Sequence, residues 1–269
     1  KTVRGDANAE DRVSMARALE NEALFGDRVS HPRIPALRSW WREGDTPFLV
    51  FDFIFGWDLA RLVKLGGIPG WGVRGIGRQT LDILEYLNEL SDIVHRDISP
   101  ENLILDVEGR VHLVDFGLSA EVSGETGDLR PGRGKLRYAA PEQWRGGVPD
   151  VRSDLYSLSI VLWELISRGP RQRAGTSFLP TSDVGVAYAI WRGGRPRAGA
   201  RFKSCAAMKR WFGDGQEERL GQWIRAKFAE ELQVRATAIS NAQGEARRRL
   251  ETSGLELLRD RLGTGVRSG

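Results

Sequence analysis

Three oxygen-bearing side chains stand at short, ordered intervals near the middle of the chain. Asp97 and Asn102 lie within His95-Arg96-Asp97-Ile98-Ser99-Pro100-Glu101-Asn102, and Asp115 opens Asp115-Phe116-Gly117 thirteen positions later. A carboxylate can accept a proton from a hydroxyl, and an amide oxygen with a second carboxylate can ligate a divalent cation. Either tripeptide alone is commonplace and would read as a capped loop with solvated polar groups. Their order and spacing argue otherwise. A fourth group, Glu22, falls seven residues after Met15 on the inward side of a helical pattern. A carboxylate placed among apolar neighbours needs a cation.

These residues need elements to hold them. Helical spacing over Thr80–Leu90 leads into the first loop. The alternating runs Leu103–Leu105 and Val111–Val114, with Gly109 in the turn, predict a hairpin that ends at Asp115. Glu10–Phe25 reads as a helix with Val13, Met15, Ala16, Leu19 and Ala23 on one face and Gly26 as its stop. Phe48–Phe55 reads as one buried strand ended by Gly56, and Ser153–Ser167 as a helix apolar enough for the centre of a core. Ser119–Gly134 and Gly169–Pro196 read as irregular. The Arg/Glu-rich Glu245–Leu262 reads as an amphipathic helix or partner-binding tail.

Taken together, these motifs resemble those of the eukaryotic-type protein kinases: the H-R-D-x-x-x-x-N catalytic loop, then D-F-G, then Ala140-Pro141-Glu142. The resemblance implies that Asp97 accepts the substrate hydroxyl proton and that Asn102 and Asp115 are the Mg²⁺ ligands. It makes Glu22, nine positions before His31-Pro32, the C-helix glutamate, and Lys1 in Lys1-Thr2-Val3 the ATP lysine. Val50-Phe51-Asp52-Phe53-Ile54 resembles the hinge, with Phe51 as gatekeeper and backbone groups of Asp52 and Ile54 facing adenine. Asp154 resembles the acid that opens the family's central helix and holds the catalytic-loop backbone. Glu142 is expected to pair with a late arginine, for which Arg235 is the candidate. Gly70-Trp71-Gly72-Val73-Arg74-Gly75 fits G-x-G-x-x-G but follows the hinge and has no strand leading in, so it is rejected as a phosphate loop.

Two departures fall beside Asp97. Ser99 stands where many Ser/Thr kinases carry a lysine, and Lys135 stands where the family often has a threonine. Lys135 is expected to supply from the activation segment the positive charge that Ser99 lacks. Arg96 beside the catalytic aspartate implies regulation by a phosphate on that segment, with Thr126 preferred over Ser119 and Ser123.

The composition agrees with such a domain. The chain has 269 residues, 41% hydrophobic and 28% charged, and its 40 basic residues nearly balance 36 acidic ones. One cysteine, Cys205, forms no internal disulfide, which suits a reducing, cytoplasmic setting. No apolar run reaches the roughly 20 residues of a membrane span. Neither membrane nor nucleic-acid partners are expected. Lys1 in place of Met marks a fragment, with the glycine-rich loop and first two strands absent from it.

The expected fold is α+β and two-lobed, protein-kinase-like: a truncated small β lobe over 1–53, a mainly helical large lobe over 54–242, and a charged helical tail over 243–269. The expected activity is ATP- and Mg²⁺-dependent transfer to Ser/Thr hydroxyls of protein substrates. The absence of the Ala/Arg pattern usual in tyrosine kinases favours serine and threonine. The rivals are a catalytically impaired pseudokinase and a small-molecule phosphotransferase, which would not need Ala140-Pro141-Glu142.

Overall fold

The computed structural model describes residues 1–2, 9–44, 46–91, 93–117, 120–121, 137–167, 181–242 and 244–245. Two compact units divide the chain, Lys1–Gln222 and Trp223–Gly269. The first carries the elements discussed below, apart from the last residues of the helix Glu217–Lys227, which fall in the second. The second is helical over 229–242.

The small β part of the first unit is one helix on a ribbon. Helix α1 (Ala9–Arg28) lays Leu19 and Ala23 against Leu49, with Met15, Ala16, Leu37 and Phe51 packed around them. The ribbon is the antiparallel pair β1 (Leu37–Glu43) and β2 (Thr46–Phe51). Lys1 joins it through its carbonyl, which accepts the Leu49 N–H at 2.9 Å, and Thr2 bridges Phe48. The helix runs past its predicted stop. Gly26 packs within it instead of capping it, because a Cβ there would come 2.8 Å from the Leu37 Cβ.

The single strand expected over Phe48–Phe55 is divided. Strand β2 ends at Phe51, the Asp52 N–H still donates to the Ala36 carbonyl at 3.1 Å, and residues 53–55 cross over without ladder pairing. Gly56 then starts β3 (Gly56–Asp58) instead of ending a strand. A Cβ at Gly56 would lie 2.4 Å from the Leu105 carbonyl oxygen, so this close strand approach admits only glycine. Strand β3 pairs with β5 (Leu103–Asp106), which pairs with β6 (Val111–Leu113), all antiparallel. The β5–β6 turn uses Gly109 at φ +83°, and Asp106 accepts from the Glu108 and Arg110 N–H groups.

The larger part is helical. Helix α2 (Leu59–Lys64) is capped by Asp58, and α3 (Gly70–Ser91) begins ten residues earlier than the Thr80 predicted from spacing. Its front is the G-x-G-x-x-G stretch, which is therefore packed helix and not a loop: a Cβ on Gly75 would meet the Gly215 carbonyl at 2.5 Å. Strand β4 (Ile93–Val94) pairs with β7 (Ala120–Glu121), and the short α4 (Pro141–Trp144) precedes α5 (Val151–Ser167). Helix α5 is central, with Leu155, Leu158, Val161, Leu162 and Leu165 fully buried between α3 and α6. Helix α6 (Val184–Gly193) occupies part of the segment expected to be irregular. Asp183 caps it through the Val186 N–H, and Val186, Ala189 and Ile190 supply a buried face that the flanking Gly and Pro residues mask in the sequence. Helices α7 (Cys205–Lys209) and α8 (Glu217–Lys227) follow. Among the described residues no helix is long and apolar enough to cross a membrane. The expected helix over Glu245–Leu262 lies outside the described residues, apart from Glu245 itself.

Candidate active site

Asp97 sits on a loop between β4 and a 3₁₀ turn, Pro100–Asn102, that opens β5. The first residues of the loop are held by two side chains. Asp154, in the first turn of α5, accepts the His95 N–H at 2.8 Å and the Arg96 N–H at 2.9 Å. Gln143 of α4 donates to the Arg96 carbonyl at 3.0 Å. Burial pushes the Asp154 carboxyl up to about 7, against the lowering effect of those two N–H bonds and the nearby Arg96 guanidinium. Between the anchors Arg96 takes φ 66°, a left-handed backbone that a non-glycine residue holds only when its surroundings fix it.

The same loop closes on itself. Asn102 Nδ2 donates to both the carbonyl and Oδ2 of Asp97, each at 2.8 Å, which turns the amide oxygen of Asn102 away from that carboxylate. The Asn102 carbonyl accepts the Val114 N–H at 3.0 Å, and this bond carries Asp115 alongside. Asp115 is also left-handed, at φ 71°. Phe116 sets its ring edge-on to His95 at 4.8 Å, joining the two loops through a buried aromatic contact.

Across the cleft, Lys1 Nζ lies 2.7 Å from Glu22 Oε1 and 3.5 Å from Asp115 Oδ1. Glu22 is buried on α1, as its spacing predicts. Burial raises its carboxyl, and the Lys1 ammonium opposes that rise. Asn21, its neighbour, donates to the Gly117 carbonyl at 3.1 Å, so α1 touches both the lysine and the turn after Asp115. A cavity of about 360 Å³ opens here, lined by Lys1, Glu22, Phe51, Asp52, Ile54 and Asp115 among others. The predicted hinge residues thus border the same cavity as the predicted lysine. The Asp52 carboxylate turns outward to Arg38, leaving only its backbone to the cavity side.

The donor set fits a hard cation. Among the described residues no three His, Cys, Asp or Glu side chains gather into a complete metal cage. Asn102 and Asp115 would hold Mg²⁺ by two oxygens, and water and phosphate would complete its shell, as this ion prefers.

Ser99 is buried within the loop. Lys135, Ser119, Ser123 and Thr126 lie outside the described residues. Among the described residues the buried Arg96 guanidinium has no hydrogen-bond partner at Nε or Nη2.

One expected pairing is corrected. Glu142 pairs with Arg201 and not with Arg235: Arg201 Nη1 and Nη2 reach its two oxygens at 2.6 and 2.8 Å. The same guanidinium donates to the carbonyls of Arg195, Arg152 and Pro196. Arg235 instead bonds Glu231 one turn away on the second unit's helix, at 2.9 Å. Arg201 stands between Ala200 and Phe202, just before Ser204 caps α7 through the Ala207 N–H, and nothing in that local sequence points to Glu142.

A second group went unnoticed in the sequence. Glu164 of α5, spaced ten residues after Asp154, accepts the Tyr138 hydroxyl at 2.7 Å and pairs with Arg137 at 3.0 Å. Burial, with Glu164 next, drives the Tyr138 phenol well above its ordinary range. Arg137 is therefore not a merely solvated base.

Known proteins carry the same sequence pattern. The protein kinase domain family matches residues 1–177. The chain is 30% identical over 153 residues to the serine/threonine-protein kinase PrkC of Bacillus subtilis, covering 56% of this chain and 24% of that protein. It is 33% identical over 184 residues to the serine/threonine-protein kinase PknL of Mycobacterium tuberculosis, covering 66% of this chain and 44% of that one. With a probable serine/threonine-protein kinase PknB of Bifidobacterium longum it shares 29% over 201 residues, 70% of this chain and 28% of the relative. The chain thus spans less than half the length of these relatives.

Proposed function

Since this chain belongs to the protein kinase domain family, we propose that it transfers the γ-phosphoryl group of ATP to Ser or Thr hydroxyls of proteins. The observation that carries this reading is the convergence of Lys1, Glu22 and Asp115 on one cavity, with the Asp97–Asn102 loop joined to Asp115 by the bond between Asn102 and Val114. Positioning and charge stabilisation are nearly all that phosphoryl transfer asks of a protein.

Each residue has a role in that scheme. Asp97 accepts the proton of the attacking hydroxyl, and Asn102 holds the Asp97 carboxylate in place through Nδ2. Asn102 and Asp115 present the oxygens for Mg²⁺. Lys1, steadied by Glu22, reaches the phosphates. Phe51 and the backbone of Asp52 and Ile54 border the adenine end. When bound, Mg²⁺ supplies charge neutralisation at the β- and γ-phosphates.

The test is γ-phosphate transfer by the full-length gene product to a basic protein acceptor with Mg²⁺ and ATP. Transfer is expected, and Lys1→Met should lower kcat/KM by about 100-fold, the usual effect of losing one charge-stabilising contact. A folded wild type that binds ATP yet transfers nothing would instead support a regulatory pseudokinase. Ser99 is the residue that favours this second reading. Lys135 answers it: Lys135→Ala is expected to cut kcat about tenfold, with the unfolding midpoint unchanged. Full turnover in that variant would remove Lys135 from the mechanism.

A further inference from the structure

Away from the cleft, seven bases and no acid stand between Val184 and Gly213. Two of them are spent internally: Arg201 on Glu142, and Lys209 on Asp82 and Glu85. Arg195, Arg197, Lys203 and Arg210 are exposed, and none has a carboxylate partner among the described residues. The carboxylate that opens α6, Asp183, is clamped by both Arg74 Nε and Nη2 at 2.7 and 2.8 Å, so it offers these bases no compensation.

An aromatic patch sits among those bases. Val184, Tyr188 and Trp191 fall at i, i+4 and i+7 on the outer face of α6, opposite the buried Val186, Ala189 and Ile190. Tyr188 packs on Trp211 at 4.3 Å and Trp191 at 5.9 Å between centroids. Val184, Trp191 and Trp211 are 80%, 55% and 39% exposed, so the described residues leave this stripe uncovered. Arg195 lies over the Trp191 ring at 4.9 Å. Arg192 lies over Phe202 at 4.9 Å and also donates to the Tyr188 hydroxyl. Stacking limits the rotamers of both arginines before any partner arrives, which lowers the entropy cost of binding.

We propose that this face of α6 and α7 docks an acidic, apolar-containing segment of a partner protein. An apolar centre ringed by charge is the layout of a protein interface, and exposed Trp, Tyr and Arg are the residues that dominate such contacts. Guanidinium forks match carboxylates in pairs, and the uncompensated charge favours an acidic partner over a basic one. Because Arg195 already covers a face of Trp191, that ring is a poor platform for a stacked nucleic-acid base.

The experiment measures binding of the full-length gene product to a fluorescein-labelled peptide of alternating glutamate and leucine. A lysine–leucine peptide, oligothymidine and phosphatidylserine vesicles serve as competing probes. The glutamate peptide is expected to bind with an affinity that falls as salt rises, and Trp191→Ala and Arg195→Glu should each weaken it about tenfold. Both positions are exposed, and the unfolding midpoint of each variant checks that the fold survives. Unchanged affinity in both variants would overturn the proposal. So would equal or tighter binding of oligothymidine or of the vesicles, which would reassign the face to nucleic acid or to membrane. The readout is equilibrium binding, so it stands or falls separately from kinase activity.

Discussion

Replacing Asp97 with asparagine is expected to lower γ-phosphoryl transfer by about a thousandfold, within the range that one positioned proton acceptor contributes. The substitution keeps the side chain's size and one oxygen. The Asn102 bond to the Asp97 main-chain carbonyl is untouched, and so are the Asp154 and Gln143 bonds that hold the loop. What changes is the loss of the basic carboxylate. Turnover measured beside the unfolding midpoint separates chemistry from collapse: the midpoint should stay within a few degrees of wild type. A fall in turnover of less than about tenfold would mean that another group takes the proton.

The largest stability effect is expected from Arg201→Ala. This guanidinium is fully buried and serves both Glu142 oxygens and three carbonyls, so its removal strands a partly buried charge and three acceptors at once. Breaking a buried pair from one side costs about 3–5 kcal/mol. In a unit of this size that lowers the unfolding midpoint by roughly 10 °C. Arg235→Ala is the control, since its partner is a one-turn neighbour on a helix surface, and it should cost no more than about 0.5 kcal/mol. Equal losses in the two variants would reject the Arg201 assignment.

The pH dependence carries a sign that can be checked. Burial pushes the Glu142 carboxyl up, but its bonds to Arg201 and Ser153 outweigh burial and hold it below the ordinary carboxylate range. A depressed carboxyl contributes stability above its unfolded value of about 4.3, and loses it as pH falls through the folded value. Without Arg201 the burial effect on Glu142 gains weight. The stability gap between wild type and Arg201→Ala should therefore be full near neutral pH and narrow below about pH 4.

How much of this was legible depended on sequence distance. The hairpin between Asn102 and Asp115 is short and alternating, so the spacing of the two oxygens follows from local geometry. Glu22 was legible because an inward carboxylate on an apolar helix face demands a cation, although the cation itself came from a family likeness. Arg201 was not, because nothing local to it names an acid fifty-nine residues earlier, and the likeness of Glu231–Ala236 to the family's late segment drew the assignment to Arg235, which bonds its own helix neighbour. Gly26 and Gly56 misled for one reason: each looks like an end of an element, while each is a place where another chain segment comes too close for a side chain. Glu164 hid in a helix whose uniform apolarity implied burial but gave no hint of the Tyr138 and Arg137 that meet it.

Helix α5 bears three separate parts of the site: Ser153 bonds Glu142, Asp154 bonds the catalytic loop, and Glu164 bonds Tyr138. All three attach to a helix whose Leu155, Leu158, Val161, Leu162 and Leu165 are fully buried in the core. The catalytic loop therefore has little independent stability and shares the opening equilibrium of the core. For the cell this merges two kinds of failure. A chain whose core has opened loses the proposed active site and becomes cleavable in one event, so proteolysis would remove the same molecules whose Asp97 loop has come apart.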